Sequence, residues 1–274
     1  MIIDAHFHSW RLDRGDYGWL TPALGRIHRD VSVDDWRAVS AVHAVQAGVL
    51  VQAAPTEAET RHLLALADRH FAVLGVVGWV DLLAMEAPAR IAALARHPRL
   101  KGLRPMLQDL VDTDWLLQPA LTPALRAMIH HGLVFDALVQ PRHLPNLLRF
   151  ARRWPDLPIV IDHGAKPEIA TGQREPWATQ MAELAGTTHA VCKLSGLLTE
   201  AGPAPDPQAV RPWAEWLLQV FGPRRLLFGS DWPVLELAGS YADWWMAVQA
   251  LCAGMDAAAR EAVLGRNARR VYRL

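Results

Sequence analysis

Eight short runs of near-continuous apolar residues punctuate this chain, and amphipathic stretches fill the intervals between them. The runs span residues 1–5, 48–53, 73–80, 100–104, 133–139, 159–162, 190–194 and 225–228. A strand that is apolar along its whole length is buried on both faces, the habit of parallel sheets covered by helices. The intervening stretches read as helices, at 33–45, 57–69, 88–96 and 145–154 among others. Ser32 with Asp35 and Thr56 with Glu59 have the spacing of capping boxes, and Pro145 suits a first helical turn. Eight alternations of strand and helix predict an α/β fold, a (β/α)8 TIM barrel, with residues 1–274 forming a single domain. A doubly wound open sheet is the alternative, but no glycine-rich turn follows the first run to receive a dinucleotide. The proline-rich piece at 202–207 reads as a strand-to-helix loop and not as a domain boundary.

Composition narrows the classes of function. Lysine plus arginine and aspartate plus glutamate balance at 28 each, so charge gives no pull towards nucleic acid or an anionic membrane. No uninterrupted apolar run approaches the length of a membrane span, and no export signal is expected at the N-terminus. The two cysteines, Cys192 and Cys252, have no metal or redox spacing, which agrees with a reduced, cytoplasmic protein.

In a barrel of this kind the active site lies at the C-terminal ends of the strands. The first run leads into His6 and His8, which as i and i+2 on a strand project from one face. The second ends at Gln52, the third at Trp79 and Asp81, and the fourth at Arg104. The fifth carries Asp136, and the sixth ends in Asp162, His163 and Lys166. The seventh supplies Lys193 and Ser195, the eighth Ser230, Asp231 and Trp232. Any one such residue is more often a turn or cap residue than a functional one. The constellation says more. In a closed barrel the eighth strand lies beside the first, which brings Asp231 next to His6 and His8. Two imidazoles and a carboxylate on adjacent strands can hold a divalent cation or polarise a water. His163 faces the same mouth.

The stretches "DAHFH", "DHGAKP" and "GSDWP" resemble the amidohydrolase superfamily, in its amidohydrolase-2 branch. "DYGWL", "GVVGWVDL", "KGLRPMLQ" and "CKLSGLLTEA" are similar to stretches of the sugar-lactonase group of that branch. The resemblance runs nearly end to end. It implies a hydrolase that opens the cyclic ester of an aldonolactone such as L-fuconolactone or L-rhamnonolactone, a carboxylic-ester hydrolase of sugar catabolism. It also implies a central site of His6, His8, His163 and Asp231. One divalent cation, zinc first among candidates, would sit on His6, His8 and Asp231, although catalysis need not depend on it. The sequence departs from the superfamily's two-metal pattern, because the fifth run, "LVFDALVQ", has no histidine and the fourth ends in Arg104.

Lactone hydrolysis needs an activated water, a polarised carbonyl and a proton for the departing alkoxide. Asp231 is the expected general base, since a carboxylate among cationic or metal-bound neighbours stays ionised at neutral pH. His163 would polarise the carbonyl or protonate the leaving oxygen, with Lys166 and Arg104 as further stabilisers of negative charge. Trp10, Trp79 and Trp232 stand at or just beyond strand ends and Trp19 in the first loop. Together with Gln52 they are expected to bind substrate, an indole face suiting the apolar face of a sugar ring. The expected partner is a small-molecule lactone, with neither nucleic acid nor membrane. A carboxylated lactone of the sulfomuconolactone or pyrone dicarboxylate type would call for several mouth arginines, and Arg104 stands nearly alone there. A metal-dependent decarboxylase of the same branch and a non-catalytic sugar-binding protein are the remaining alternatives.

Overall fold

The computed structural model describes residues 1–203 and 205–274. Eight strands lie in sequential order and pair in parallel throughout. They are β1 (Ile2–Phe7), β2 (Val45–Val51), β3 (Val73–Gly78), β4 (Leu100–Leu103), β5 (Val134–Ala137), β6 (Ile159–Ile161), β7 (Val191–Leu194) and β8 (Leu226–Phe228). The ring closes just beyond the end of β8. There Asp231 donates its backbone N–H to His6 O at 2.8 Å, and His8 donates to Trp232 O at 2.8 Å. The expected (β/α)8 barrel is therefore present, and its seam is formed by the loop that carries Asp231.

Two apolar clusters follow from the geometry. Ile3, Ala5, Val49, Val51, Val77, Val134, Val160, Val191 and Leu227 fill the inside of the barrel. A larger cluster, including Phe7, Leu50, Phe135 and Phe228, packs the outer strand faces against the helices. The runs read as wholly apolar because each strand contributes to both. Parity slips once where it matters. Between Asp4 and Phe7 the register of β1 against β2 shifts by one residue, pairing Asp4 with Gly48 and Phe7 with Leu50. Ala5 joins the interior cluster, while Phe7 stacks outward on Trp36 with centroids 3.9 Å apart. His6 then turns inward, where it meets Lys193 and Arg104.

The helix signals hold with two differences. Ser32 and Asp35 form a reciprocal capping box at the helix Val33–Ala41. That helix stops short of the expected 45 because Ala44 takes a left-handed φ of 59° and turns the chain into β2. Thr56 caps Glu57–Arg69 by accepting from Glu59 N, but the Glu59 carboxylate does not return to the cap. It accepts instead from Ala53 N at 3.0 Å and Ala54 N at 2.7 Å, in the loop after β2. Burial raises the Glu59 carboxyl to about 7, against those hydrogen bonds. Among the described residues no helix is long and apolar enough to cross a membrane.

The C-terminal segment seals the opposite end of the barrel from the site. Ala268 and Tyr272, on the last helix, Asn267–Tyr272, join the interior cluster. Gly265 lies against the start of β1, and a methyl group there would sit 2.3 Å from the Met1 carbonyl oxygen. Backbone on both sides leaves little room to relax. Gly265→Ala is therefore expected to destabilise the fold by about 1–3 kcal/mol, the usual cost of overpacking. Urea denaturation of the variant beside the parent measures this, and an unchanged midpoint would mean that the floor is pliable.

Candidate active site

His6, His8, His163 and Asp231 converge at the C-terminal ends of the strands. Asp231 Oδ1 lies 3.2 Å from His8 Nε2, 3.6 Å from His6 Nε2 and 3.7 Å from His163 Nε2. The two β1 histidines face one another with Nε2 atoms 3.2 Å apart. His8 Nδ1 lies 2.8 Å from Val51 O. A carbonyl can only accept, so this nitrogen carries a proton and Nε2 is the atom turned towards the site. His163 is oriented by Ser195, whose Oγ is 2.9 Å from Nδ1. Gly196 makes room for it, since a Cβ there would lie 2.6 Å from the imidazole ring. Asp231 and His163 both hold left-handed backbones, with φ of 59° and 52°. Such conformations in non-glycine residues cost energy and gather at functional sites.

Electrostatics favours the ionised form of Asp231 and the neutral forms of His6 and His163. Burial opposes ionisation of Asp231, but His163, His8 and His6 around it outweigh that and hold its pKa well below the ordinary range. Burial lowers His163 to about 4, against the pull of Asp231 and Asp162. Burial, and next the charge of Lys193, hold His6 well below the ordinary imidazole value. His8 Nε2 and Asp231 Oδ1, 3.2 Å apart, are both atoms able to ligate a cation. The spacing suits an ion. Ligands about 2.0–2.1 Å from a tetrahedral zinc lie roughly 3.3–3.4 Å from one another. The His6–His8, His8–Asp231 and His6–Asp231 separations are 3.2, 3.2 and 3.6 Å. Donor atoms of His6, His163 and Asp231 also fall within 4.8 Å of one another.

Beneath this centre lies a dry network of charge. Lys193, fully buried, has Nζ 2.5 Å from Asp136, 2.9 Å from Asp162 and 3.1 Å from His6 Nδ1. Tyr272 donates to Asp136 at 2.8 Å from the barrel floor. Arg104 meets Asp162 at 3.3 Å and His6 Nε2 at 3.3 Å. Its Nε and Nη2 donate to Gln52 Oε1 at 3.0 and 2.8 Å. Gln52 therefore acts on Arg104 and does not reach the cavity, contrary to the substrate-binding role expected for it. Asp162, Lys193 and Asp136 were visible as strand-end or strand residues, but no short motif marks them as a unit.

Above the centre opens a cavity of 280 Å³, whose wall includes His8, Arg104, His163, Lys166, Glu200, Asp231 and Trp19. Three tryptophans expected there lie elsewhere. Trp10 is wholly buried, donating Nε1 to Arg29 O at 2.8 Å. Trp232 is buried and donates to Glu236 at 2.8 Å. Trp79, half-buried, has its backbone N–H and carbonyl on the Thr60 hydroxyl at 2.8 and 3.0 Å. These indoles pack loops against the barrel, two of them satisfying their N–H groups inside the protein, so the cavity takes only Trp19. That side chain is braced edge-on against Trp10, centroids 5.5 Å apart, and donates to Ala53 O at 2.7 Å. Glu200, Gln108 and Asp109 line the cavity without having been singled out in the sequence. Gln108 and Glu200 fall within the stretches "KGLRPMLQ" and "CKLSGLLTEA", and Asp109 follows the first of them, in the loops after β4 and β7.

A sequential eight-stranded barrel with histidines and an aspartate gathered at its C-terminal rim defines a class of barrel enzymes built for hydrolytic chemistry. Within it, the chain belongs to the amidohydrolase family, whose model matches residues 3–274. An L-fucono-1,5-lactonase of Burkholderia ambifaria is 51% identical over 278 residues, covering 99% of this chain and 95% of the relative. An L-fucono-1,5-lactonase of Burkholderia multivorans is 36% identical, covering 99% and 96%. An amidohydrolase of Burkholderia multivorans solved with bound zinc superposes with a TM-score of 0.94 at 35% identity, covering 100% of this chain and 99% of that one.

The network predicts a large structural penalty. Asp162→Ala removes the carboxylate shared by Lys193 and Arg104 and leaves charge uncompensated in a buried site. A loss of about 3–5 kcal/mol is expected on breaking a buried pair in this way. Chemical denaturation tests it. A change below about 1 kcal/mol, the scale of an exposed pair, would show that solvent reaches these charges.

Proposed function

We propose that this protein hydrolyses the cyclic ester of a neutral aldonolactone of the L-fucono-1,5-lactone class, with Asp231 as general base. The observation that carries the reading is the position of Asp231, an ionised carboxylate ringed by three imidazoles at the foot of a cavity. The end-to-end likeness to two lactonases supports it. A water beside Asp231 Oδ1 gives up a proton to it and attacks the ester carbon. Arg104, together with neutral His163, stabilises the oxyanion that forms. The ring C–O bond then breaks, and the alkoxide takes the proton back from Asp231 or through His163. One water is consumed, and the product is the open hydroxy acid.

His6, His8 and Asp231 fit a zinc ion by donor chemistry and spacing, and we assign them as its holders, with His163 kept for substrate. Bound there, the ion would supply Lewis acidity and a more acidic water. The chain's own residues retain their tasks: Val51 and Ser195 orient His8 and His163, and Gln52 aims Arg104. A dicarboxylated lactone is a poor match. Of the two cations on the cavity wall, Arg104 is assigned to the oxyanion and Lys166 already faces Glu200 at 3.4 Å, so two ring carboxylates would lack charged partners.

Asp231→Asn is expected to lower kcat by about 10²- to 10⁴-fold, the usual contribution of a general base. Asparagine tolerates a left-handed backbone, so the melting temperature should scarcely move. The assay is proton release from L-fucono-1,5-lactone, and activity within a few-fold of the parent would dismiss Asp231 as base. Zinc titrated into chelator-stripped protein should bind at one equivalent per chain, with affinity lost in His8→Ala. Equal affinity in the variant would remove His8 from the ligand set.

A further inference from the structure

One pair of opposite charges on the cavity wall takes no part in the hydrolytic steps. Lys166 follows His163 in the loop after β6, where its φ of 51° turns the chain back over the cavity. Glu200 ends the short helix Leu197–Glu200 that follows β7. Lys166 Nζ lies 3.4 Å from Glu200 Oε1, and the two side chains keep 24% and 25% of their surface exposed. Both line the same cavity as Asp231. An ammonium has three N–H donors and a carboxylate about four acceptor sites, so one contact leaves most of both capacities unused.

We propose that Lys166 and Glu200 act together as the hydroxyl reader of this site, selecting uncharged, polyhydroxylated lactones. The inference rests on the lactone-hydrolase reading and adds the residues that recognise the ring substituents. A sugar hydroxyl both donates and accepts, so one hydroxyl can donate to Glu200 while accepting from Lys166. Two adjacent hydroxyls can serve the pair side by side. Neither an apolar ring nor an anionic one can do this. A ring carboxylate would meet Glu200, Asp109 and Asp231 on the same wall and would share one ammonium with the Glu200 carboxylate. Burial raises the Glu200 carboxyl, Lys166 opposes that, and Asp231 adds to the rise. Glu200 thus already feels the charge of the reacting centre, and a further anion would compound the repulsion.

The test is steady-state kinetics on L-fucono-1,5-lactone for the parent, Glu200→Gln, Lys166→Met and the double variant. Hydrogen bonds to charged groups are the strong ones, so each single change is expected to raise KM about tenfold or more. These groups face ring substituents and not the ester, so kcat should change by less than about threefold. The double variant should lose less than the product of the two single effects, because both groups act on shared hydroxyls. An unchanged KM in both single variants, or a loss carried by kcat, overturns the proposal. A parent protein inactive on every aldonolactone overturns the hydrolase reading itself, so the two failures are told apart.

Discussion

An ammonium group without solvent underlies the site. Lys193 is fully buried, and removing such a charge from water is costly unless partners compensate. Asp136 and Asp162 supply that compensation from β5 and from the end of β6. The third direction of the ammonium is taken by His6 Nδ1 on β1. One side chain on β7 thereby couples β5, β6 and β1 at the depth where the barrel changes from an apolar interior to a reactive rim. Arg104 extends the coupling to β4 through Asp162, and Tyr272 carries it down to the C-terminal helix through Asp136. If these charges were separated, His6 would lose the groups that orient its ring.

The seam between β8 and β1 is the second device. Asp4 accepts from Ser230 N and Oγ at 2.8 and 2.7 Å, from Trp36 at 3.0 Å and from Tyr241 at 3.1 Å. Ser230 immediately precedes Asp231, so the fan of bonds at Asp4 bolts the strained aspartate to the strand that bears His6 and His8. Closure of the barrel and the meeting of Asp231 with His6 and His8 are therefore one event. The outward stacking of Phe7 on Trp36 works to the same end, holding the slipped register that turns His6 inward.

Much of this was legible because it is periodic or local. Eight apolar runs with helical intervals specify a barrel, and a closed barrel puts the residue after the eighth strand beside the first. His6, His8 and Asp231 were placed together on that reasoning, and the structure brings them together. The tryptophans misled for a physical reason. An indole at a strand end can turn over the mouth or back into the packing between loop and barrel, and the choice depends on an available carbonyl or carboxylate for its N–H. Arg29 O, 19 residues along the chain, decides it for Trp10, and Glu236 decides it for Trp232 once the loop after β8 folds back over four residues. Glu59 shows the same limit on a smaller scale. Its spacing from Thr56 suits a capping box, but the bare N–H groups of Ala53 and Ala54 in the β2 loop hold its carboxylate more tightly.

By itself the sequence determined the barrel, the rim that would carry the chemistry and the residues that could perform it, because apolar periodicity and chain order dictate strand adjacency. The protonation state of the centre was decided by tertiary structure alone. His8 turns Nε2 towards Asp231 because Val51, 43 residues away in the chain, offers a carbonyl to the other nitrogen. Asp231 stays ionised because three imidazoles from two separate strands surround it. The character of the cavity wall was decided in the same way, when Lys166 and Glu200 from successive loops came within 3.4 Å. Charge, tautomer and desolvation depend on distances of a few ångströms between residues far apart in the chain, and only the folded structure sets those distances.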